Sequence, residues 1–305
     1  MLEIQIQRPP VHFFLDQLLI GLSIGATYAL IALGYTMVYG VLRLINFAHG
    51  DVYMVGAVCG WYIARALVGH APPWVVLLAV FIGAAVACGV LGYLIEVLAY
   101  RPLRNRPRLV LLITAIGVSL LLENLFQLKI VFGPTHQDYP IELRDAFGRY
   151  FTLAALGLSL ALMTAMTWFV MRTKTGLALR AVSFRFETAT LMGINTNRII
   201  SFTFMVGSGL AAVAGVLNAM RYQVDPLMGI MPGLKAFIAA VLGGIGNIPG
   251  ALVGGLLIGI IEAMLQGFLP AGYTAYADAA AFVILIVILL VKPSGLLGRA
   301  VQEKV

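Results

Sequence analysis

Residues 172–198, RTKTGLALRAVSFRFETATLMGINTNR, form the longest polar interruption in a strongly apolar sequence. The charge of this segment is one-sided, because five basic residues stand against a single acid, Glu187. Loops rich in lysine and arginine near the ends of spans stay on the cytoplasmic side of a membrane. Residues 178–191 contain no glycine or proline and include good helix formers, which predicts a short helix at the membrane surface. The segment is therefore predicted to be a cytoplasmic loop between two spans.

The rest of the chain is too apolar for a soluble globular protein. Of its 305 residues, 61% are hydrophobic and 11% are charged, and the mean hydropathy is +0.97. Long apolar runs recur along the chain, which predicts an all-α polytopic membrane protein with about eight transmembrane helices, some broken or re-entrant. The net charge of +7 comes from basic residues clustered between these runs. Membrane orientation and contact with anionic membrane lipid explain this charge, and no nucleic acid partner is expected.

A second basic segment lies before the loop, at residues 101–108. Its arginines, with no acid among them, are Arg101, Arg104, Arg106 and Arg108. Two apolar runs, 109–128 and 151–171, separate the two basic segments, so both are expected on the same side of the membrane. The polar segment 133–150 lacks a basic excess and is expected outside. Lys292, Arg299 and Lys304 near the C-terminus are expected in the cytoplasm.

The first long apolar run, 17–42, carries no charge. As one helix it would measure roughly 39 Å, more than the ~30 Å hydrocarbon layer, so it must tilt or break. Small residues recur every four positions in this run and in two later ones, which predicts close approach of other helices. These stripes are Gly21, Gly25 and Ala29; Ala84, Cys88 and Gly92; and Gly207, Ala211 and Gly215.

Polar residues crowd the stretch that follows, VLRLINFAHGDVYMVGA, before the next apolar run begins. Asn46 and His49 are candidates to line a transport pathway in this stretch. One interpretation is a plain loop between spans. The other is irregular backbone inside the membrane that lines a cavity and is satisfied by protein groups or water.

Glu123 interrupts the apolar run 109–128. A carboxylate at membrane depth is costly and marks a functional site by default, so Glu123 is a third pathway candidate. The alternatives are a buried structural hydrogen bond and a water-facing span end, which the neighbouring Lys129 makes reasonable.

A second interruption lies in AFIAAVLGGIGNIPGALVGGLLIGIIEAM, which is uncharged from residue 236 to 261. Asn247, Pro249 and Gly250 predict two half-helices that meet at a break, and all three are pathway candidates. A proline kink packed against a neighbouring helix is the alternative. INFAHG in the first half and GNIPG in the second are both short breaks, as in transporters with internal repeats, although such short strings also arise by coincidence.

Several functions are excluded by missing motifs. The sequence has no phosphate-binding loop, so the chain is not expected to be an ATPase itself. Motifs of metalloproteases and serine hydrolases are also absent, and no enzyme activity, cofactor or metal site is expected. A stand-alone secondary transporter or channel for a small polar solute remains the alternative to a motor-driven transporter. The scarcity of membrane-embedded ionisable groups favours an external motor.

Three stretches together resemble one family over nearly the whole chain. They are GLSIGATYALIALGYTMVYGVLRLINFAHGDVYMVGA, ETATLMGIN and AFIAAVLGGIGNIPGALVGGLLIG. The chain is similar to the permeases of branched-chain amino-acid ABC importers, specifically the LivH-like half. The resemblance implies a single permease domain over residues 1–305 in the bacterial inner membrane. It also implies a second, LivM-like permease subunit, two cytoplasmic ATPase subunits and a periplasmic amino-acid-binding protein as partners.

The resemblance gives the loop 172–198 the role of an ATPase-coupling loop. Glu187, Thr188, Ala189 and Gly193 resemble the E-A-A-x-x-x-G pattern of ABC-importer permeases, with threonine in place of one alanine and no I-x-L-P ending. The implied coupling residues are Arg180, Arg185, Glu187, Ala189 and Gly193. A glycine after a helix commonly takes a left-handed backbone, which is expected at Gly193. Leucine, isoleucine and valine are the implied substrates, and urea, amides and other amino acids stay open because similar permeases move them.

Overall fold

The computed structural model describes residues 10–140, 143, 150–274 and 276–298, and this part of the chain is mostly helical. Arg299 and Lys304, predicted to be cytoplasmic, lie outside the described residues. The helices are α1 (Pro10–Leu42), α2 (His49–Leu67), α3 (Pro73–Ile95), α4 (Arg108–Gln127), α5 (Phe151–Arg172), α6 (Lys174–Phe184), α7 (Phe186–Leu191), α8 (Thr196–Arg221), α9 (Ile230–Gly243), α10 (Ile248–Phe268) and α11 (Tyr276–Val291). A π-helical turn (Glu96–Tyr100) and a 3-10 turn (Arg101–Leu103) extend α3, and a 3-10 turn (Ala271–Tyr273) precedes α11.

Two short strands form the described sheet. β1 (Gln137–Asp138) pairs antiparallel with β2 (Gln223–Val224), with Gln137 opposite Val224. This ribbon joins the segment between α4 and α5 to the end of α8. It lies at the end of the molecule where α2 finishes, because the indole nitrogen of Trp61 donates a hydrogen bond to the Asp138 carbonyl at 2.9 Å.

Within the described residues, six helices are long and apolar enough to cross a membrane: α1, extended α3, α4, α5, α8 and α10. The predicted count of about eight spans is not confirmed. α9, with 14 residues, measures about 21 Å, and α11, with 16 residues, about 24 Å, both short of the ~30 Å hydrocarbon layer. α2 has 19 residues, but its first turn contains His49 and Asp51.

α1 packs along α10 through the predicted stripe of small residues. A Cβ added to Gly25 would lie 2.8 Å from the Leu256 Cα, and one added to Gly259 would lie 2.2 Å from the Gly25 Cα. Larger residues would force these backbones apart. Close packing of this kind holds helices together in lipid, where burial of apolar surface gives little driving force. The prediction for the stripe of α1 is confirmed.

The other two stripes also face neighbouring helices. A Cβ on Gly92 of α3 would lie 2.7 Å from the Phe204 carbonyl oxygen of α8. A Cβ on Gly215 of α8 would lie 2.1 Å from the Tyr53 carbonyl oxygen of α2. α8 is therefore held between α2 and α3 by contacts that only small residues permit, as predicted.

α9 and α10 form a tight antiparallel hairpin. A Cβ on Gly243 would lie 2.0 Å from the Gly250 carbonyl oxygen, and one on Gly254 would lie 2.0 Å from the Ala239 carbonyl oxygen. The turn between them uses Gly244 at φ 103°, a backbone conformation that favours glycine. The predicted pair of half-helices is confirmed, and the alternative of a single kinked helix is wrong.

α2 begins inside the bundle, and α9 begins against it. The rings of His49 and Tyr35 lie 4.7 Å apart, and a Cβ on Gly34 would meet the His49 ring at 2.3 Å. Gly34 lies eight residues before the end of α1, or about 12 Å along its axis. A Cβ on Gly50 would lie 2.6 Å from the Gly229 carbonyl oxygen, so the starts of α2 and α9 touch. The structural counterpart of INFAHG is thus the connector 225–229, and the predicted match with GNIPG is wrong.

The chain repeats one arrangement with opposite direction. Each half, α1–α4 or α8–α11, contains a long first helix and a second helix that starts partway along the bundle. Two further helices follow, and they cross the bundle in opposite directions. The long helices run antiparallel, because Arg221 at the end of α8 donates to the Ser23 hydroxyl near the start of α1 at 3.0 Å. The first helix of each half packs on the third helix of the other half, α1 on α10 and α8 on α3.

Candidate functional site

Both basic segments lie at the same end of the molecule, as predicted. The Arg104 Nη1 donates to the Asn197 Oδ1 at 2.8 Å, which joins the end of extended α3 to the start of α8. Arg43 Nη2, just after α1, donates to the Phe184 carbonyl oxygen at 3.3 Å. We call this the basic end of the molecule, and the β1–β2 ribbon marks the opposite end.

The loop 172–198 folds as two helices at the basic end. The prediction of one helix over 178–191 is wrong, because α6 ends at Phe184 and α7 begins at Phe186. Arg185 between them has φ −149° and ψ 106°, an extended backbone that stops the helix. The Thr173 hydroxyl accepts a hydrogen bond from the Gly176 amide at 3.0 Å and caps the start of α6.

α7 ends at Leu191, and Gly193, two residues later, adopts φ 82°. The Gly193 amide donates to the Thr190 carbonyl at 3.0 Å, and the Ile194 amide donates to the Ala189 carbonyl at 3.1 Å. These two bonds form a Schellman cap, in which glycine takes the left-handed position. The left-handed backbone expected at Gly193 is confirmed. Ala189 is buried, whereas Glu187 is exposed in the first turn of α7.

The other predicted coupling residues, Arg180 and Arg185, are exposed at the basic end. The Arg180 Nη2 donates to the Met171 carbonyl at 3.3 Å. Neither arginine forms an ion pair with an acid anywhere in residues 10–140, 143, 150–274 and 276–298.

An apolar groove of about 680 Å³ lies between α6 and α7, lined by Leu177, Ala181, Ala189 and Met192 among others. Its apolar rim is open to solvent, since Phe184 is 77% and Met192 78% exposed. Apolar surface of this kind at a charged end of a protein marks a site of contact with another protein or a membrane. We call it the α6–α7 groove.

The predicted pathway residues Asn46 and His49 are buried at the connector between α1 and α2. The Asn46 Oδ1 accepts a hydrogen bond from the Tyr100 hydroxyl at 2.8 Å, which fixes the connector to extended α3. His49 is 1% exposed, and its Nε2 has no hydrogen-bond partner in the described part of the chain. The irregular backbone lies inside the bundle, so the plain loop is wrong, and the lining of a transport cavity by these residues stays a prediction.

Glu123 is half-buried on α4 and interacts with Asp51 in the first turn of α2. Asp51 is buried and accepts a hydrogen bond from the Ser119 hydroxyl. Two carboxyl groups therefore face each other within the helical bundle.

Asn247 caps α10 at the basic end. Its Oδ1 accepts from the Gly250 amide at 3.2 Å, and its Nδ2 donates to the Leu297 carbonyl at 2.6 Å. Pro249 is exposed in the first turn of α10, where a proline removes no intrahelical bond. Gly250 is buried against Gly243.

The sequence interpretation missed a buried lysine. The Lys235 Nζ on α9 lies 2.8 Å from the Glu262 Oε1 on α10 and 2.7 Å from the Asp278 Oδ1 on α11. The Tyr28 hydroxyl of α1 donates to the Glu262 Oε2 at 2.9 Å. Lys235 stands directly before the uncharged run 236–261, and this position was the available signal.

A second charged cluster surrounds Glu96 at the start of the π-helical turn. This fully buried carboxylate pairs with Arg101 and Arg104, each at 2.6 Å, and accepts from the Ser201 hydroxyl at 2.8 Å. Burial lowers the pKa of the Arg104 guanidinium, the Glu96 carboxylate opposes this shift, and the group stays charged. Arg101 and Arg104 therefore contribute to packing as well as to membrane orientation. Among the described residues, no group of three or more His, Cys, Asp or Glu side chains could hold a metal ion.

Helices that begin inside a membrane bundle, in two halves of opposite direction, are typical of transporters. The fold and the exposed α6–α7 groove thus define a multi-pass membrane protein of the transporter class. A family model described as branched-chain amino acid transport system, permease component, matches residues 17–291. The chain belongs to this family.

Curated relatives match over almost the full length. The chain is 43% identical to the LivH permease protein of the high-affinity branched-chain amino acid transport system of Escherichia coli, covering 96% of this chain and 98% of that protein. It is 42% identical to the BraD permease protein of Pseudomonas aeruginosa, covering 97% and 100%. A chain of the solved PsaBC–Fab complex from Streptococcus pneumoniae has the same fold, with a TM-score of 0.51 at 15% identity and 93% coverage of both chains.

Proposed function

We propose that this chain is one permease subunit of an ATP-driven importer that moves branched-chain amino acids across the bacterial inner membrane. The similarity to LivH and BraD over almost the whole chain supports this substrate class. The proposed complex contains a second, LivM-like permease, two cytoplasmic ATPase subunits and a periplasmic amino-acid-binding protein. Residues 1–305 act as a single permease domain, and ATP hydrolysis belongs to the separate subunits.

The α6–α7 groove is the observation that carries the proposal. It combines exposed apolar side chains with the basic end, which the excess of arginine and lysine assigns to the cytoplasm. An ATPase subunit docks into this groove, and Arg180, Arg185, Glu187, Ala189 and Gly193 belong to the contact. Because α7 ends in a tight glycine cap, the contact surface keeps a fixed shape between cycles.

A mechanical route connects the groove to the transmembrane helices. The Ser183 hydroxyl near the end of α6 donates to the Gly40 carbonyl of α1 at 2.5 Å. α1 in turn packs closely along α10, which belongs to the hairpin. Closure of the ATPase dimer would therefore move α6 and α1 together and shift the hairpin, which gives alternating access.

The transported molecule is a zwitterion with an apolar side chain. The pathway candidates Asn46, His49, Glu123, Asn247, Pro249 and Gly250 offer polar groups without a dense fixed charge. Near Asn46 and His49, the N-termini of α2 and α9 meet, and backbone amides at helix starts favour a carboxylate. Asn247 and its neighbours belong to the cytoplasmic end of the same route.

The test is transport by the complete complex, purified through an affinity tag on this chain and reconstituted in vesicles with its binding protein. We expect labelled leucine to accumulate only with hydrolysable ATP, and unlabelled isoleucine and valine to compete. Uptake driven by an ion gradient without ATP would instead establish a secondary transporter or channel. If the complex takes up another solute with ATP, and leucine, isoleucine and valine fail to inhibit that uptake, the substrate class alone would be overturned.

A further inference from the structure

A second cleft lies at the basic end, on the opposite side of α6 from the α6–α7 groove. It measures about 770 Å³ and is enclosed by the ends of α1 and α5, by α6 and by the turn of the α9–α10 hairpin. Its lining includes Thr36, Arg43, Arg180, Ser183 and Asn247. We call it the arginine cleft. Arg180, Arg185 and Asn247, which the proposed transport cycle uses, also line this cleft.

The charge of the arginine cleft is uncompensated. Arg43, Arg180 and Arg185 line it, and none of them forms an ion pair within the described residues. Among the residues that the structure describes, Arg43 and Arg180 each donate to one backbone carbonyl, through an Nη2 atom at 3.3 Å. A guanidinium has five N–H donors, so most donors in the cleft remain available to an anion.

The backbone at Arg43 is held in an unfavourable conformation. Its φ of 52° makes it the one residue other than glycine with a positive φ in residues 10–140, 143, 150–274 and 276–298. This position follows the last turn of α1, where glycine or asparagine is usual. An arginine in such a conformation is retained when its side chain has a role, and here that side chain lines the cleft.

Two further groups in the arginine cleft point to a ligand. The Thr36 hydroxyl is buried, with the residue 1% exposed, and has no hydrogen-bond partner in the described part of the chain. The start of α10, capped by Asn247, adds the positive end of a 21-residue helix. Thr36 lies six residues before the end of α1, or about 9 Å along its axis, so its hydroxyl lies deeper in the bundle than Arg43.

We propose that the arginine cleft binds the phosphodiester headgroup of an anionic phospholipid of the cytoplasmic leaflet. Basic pockets between transmembrane helices on this side suit such headgroups. The acyl chains have an apolar surface to follow, because Trp168 and Met171 on α5 are exposed beside the cleft. A lipid seated here would contact both α6 and the hairpin turn, the two elements that alternating access moves against each other. This last consequence rests on the proposed function, whereas the binding itself does not.

The experiment is native mass spectrometry of the full complex in detergent, titrated with phosphatidylglycerol, with phosphatidylcholine and with inorganic phosphate. We expect saturable binding of phosphatidylglycerol over phosphatidylcholine. Arg43→Gln and Arg180→Gln should each weaken it about fivefold, the effect of one basic residue near a lipid surface. Thr36→Val should weaken it about fivefold by removing one hydrogen bond. Arg106→Gln is the matched control, because Arg106 is exposed at the same end but lies outside the cleft.

Equal losses for Arg43→Gln, Arg180→Gln and Arg106→Gln would overturn the proposal, since they would mean nonspecific charge attraction. Inorganic phosphate that binds as tightly as phosphatidylglycerol would overturn the headgroup assignment. If the cleft variants lose ATPase subunits but keep their lipid, the arginines serve an acidic protein surface and the proposal fails. Circular dichroism and size-exclusion profiles of each variant identify misfolding, and Arg43→Lys, which retains the charge, should restore most binding in a folded background.

Discussion

The Lys235 Nζ lies 2.8 Å from the Glu262 Oε1, and both side chains are almost wholly buried between α9 and α10. Asp278 on α11 completes the cluster from a position that is 42% exposed. The Tyr28 hydroxyl joins α1 to it through Glu262. Side chains from four helices thus meet around a single ammonium group, and this cluster links the hairpin to the rest of the bundle.

Glu262→Gln should destabilise the protein by about 3–5 kcal/mol, because it leaves a buried ammonium with a weaker partner. Asp278→Asn, the matched control, should cost less than about 1 kcal/mol because Asp278 is partly exposed to solvent and Glu262 still pairs with the lysine. Unfolding followed by tryptophan fluorescence in a mild detergent, with added denaturant, measures both. The double variant Lys235→Met/Glu262→Met should recover much of the loss. Equal stability of Glu262→Gln and wild type would show that the Lys235–Glu262 pair does not stabilise the packing of the hairpin.

Gly193→Leu should lower uptake per ATP while the protein still inserts and folds. The left-handed backbone at φ 82° resists a side chain, at a cost of about 1–2 kcal/mol, and the added bulk lies at the proposed ATPase contact. Gly69→Leu is the control, because Gly69 has φ 83° and equally open surroundings in the turn before α3. Uptake and substrate-stimulated ATPase activity are measured in the same vesicles. If both variants change the ratio alike, backbone strain alone is responsible.

The sidedness of the basic end can be measured with cysteine labelling in a background lacking Cys59 and Cys88. Leu191→Cys, at a position 87% exposed on α7, should react with an impermeant maleimide only from the cytoplasm. His136→Cys, beside the β1–β2 ribbon and 66% exposed, should react only from the periplasm. The reverse labelling pattern would invert the orientation and remove the basis for ATPase docking at α6 and α7.

Asn247→Cys should react with small hydrophilic thiol reagents, because the arginine cleft opens at the basic end. If Asn247 belongs to the transport route, leucine supplied with binding protein and ATP should slow the reaction. ATP alone should change the rate less. If leucine does not change the labelling rate, Asn247 serves only to cap α10. Loss of this capping hydrogen bond should cost about 1 kcal/mol of stability. Asn247→Asp, which retains the capping oxygen, then distinguishes capping from transport.

Gly259→Val should prevent correct packing of α1 on α10, since even a Cβ would lie 2.2 Å from the Gly25 Cα. Gly157→Val is the control, because no atom lies within 4 Å of a Cβ at that position on α5. Monodispersity after detergent extraction and the midpoint of thermal unfolding report the difference. Comparable behaviour of the two variants would mean that α1 and α10 separate without cost.

Some parts of the fold were predictable because their signals are local. Four-residue spacing of small residues identified the stripe at Gly25, and the spacing of Gly193 after a helical segment identified its left-handed backbone. The break near Asn247 was visible for the same reason, since glycine, asparagine and proline all interrupt helices. Its position at the basic end was not visible, because depth depends on where α9 begins.

Other parts depend on residues that are distant in sequence. α9 begins beside α2 because Gly229 packs on Gly50, and the sequence before α9 does not show which helix it will meet. Lys235 belongs to a buried cluster only because the fold brings Glu262 and Asp278, which are distant in sequence, next to it. The separation of α6 from α7 has no local signal either, because Arg185 is a good helix former by itself.

The exchange of partners between the two halves has a consequence for synthesis. α1 ends at residue 42, yet its main partner α10 begins at residue 248, a separation of 206 residues. At roughly 5–20 residues per second, the ribosome needs about 10–40 s to produce that partner. During this interval the face at Gly21, Gly25 and Ala29 has no helix to meet. Lipid or an insertase must therefore cover this face, and a chain truncated before α10 would leave α1 in the membrane without its partner.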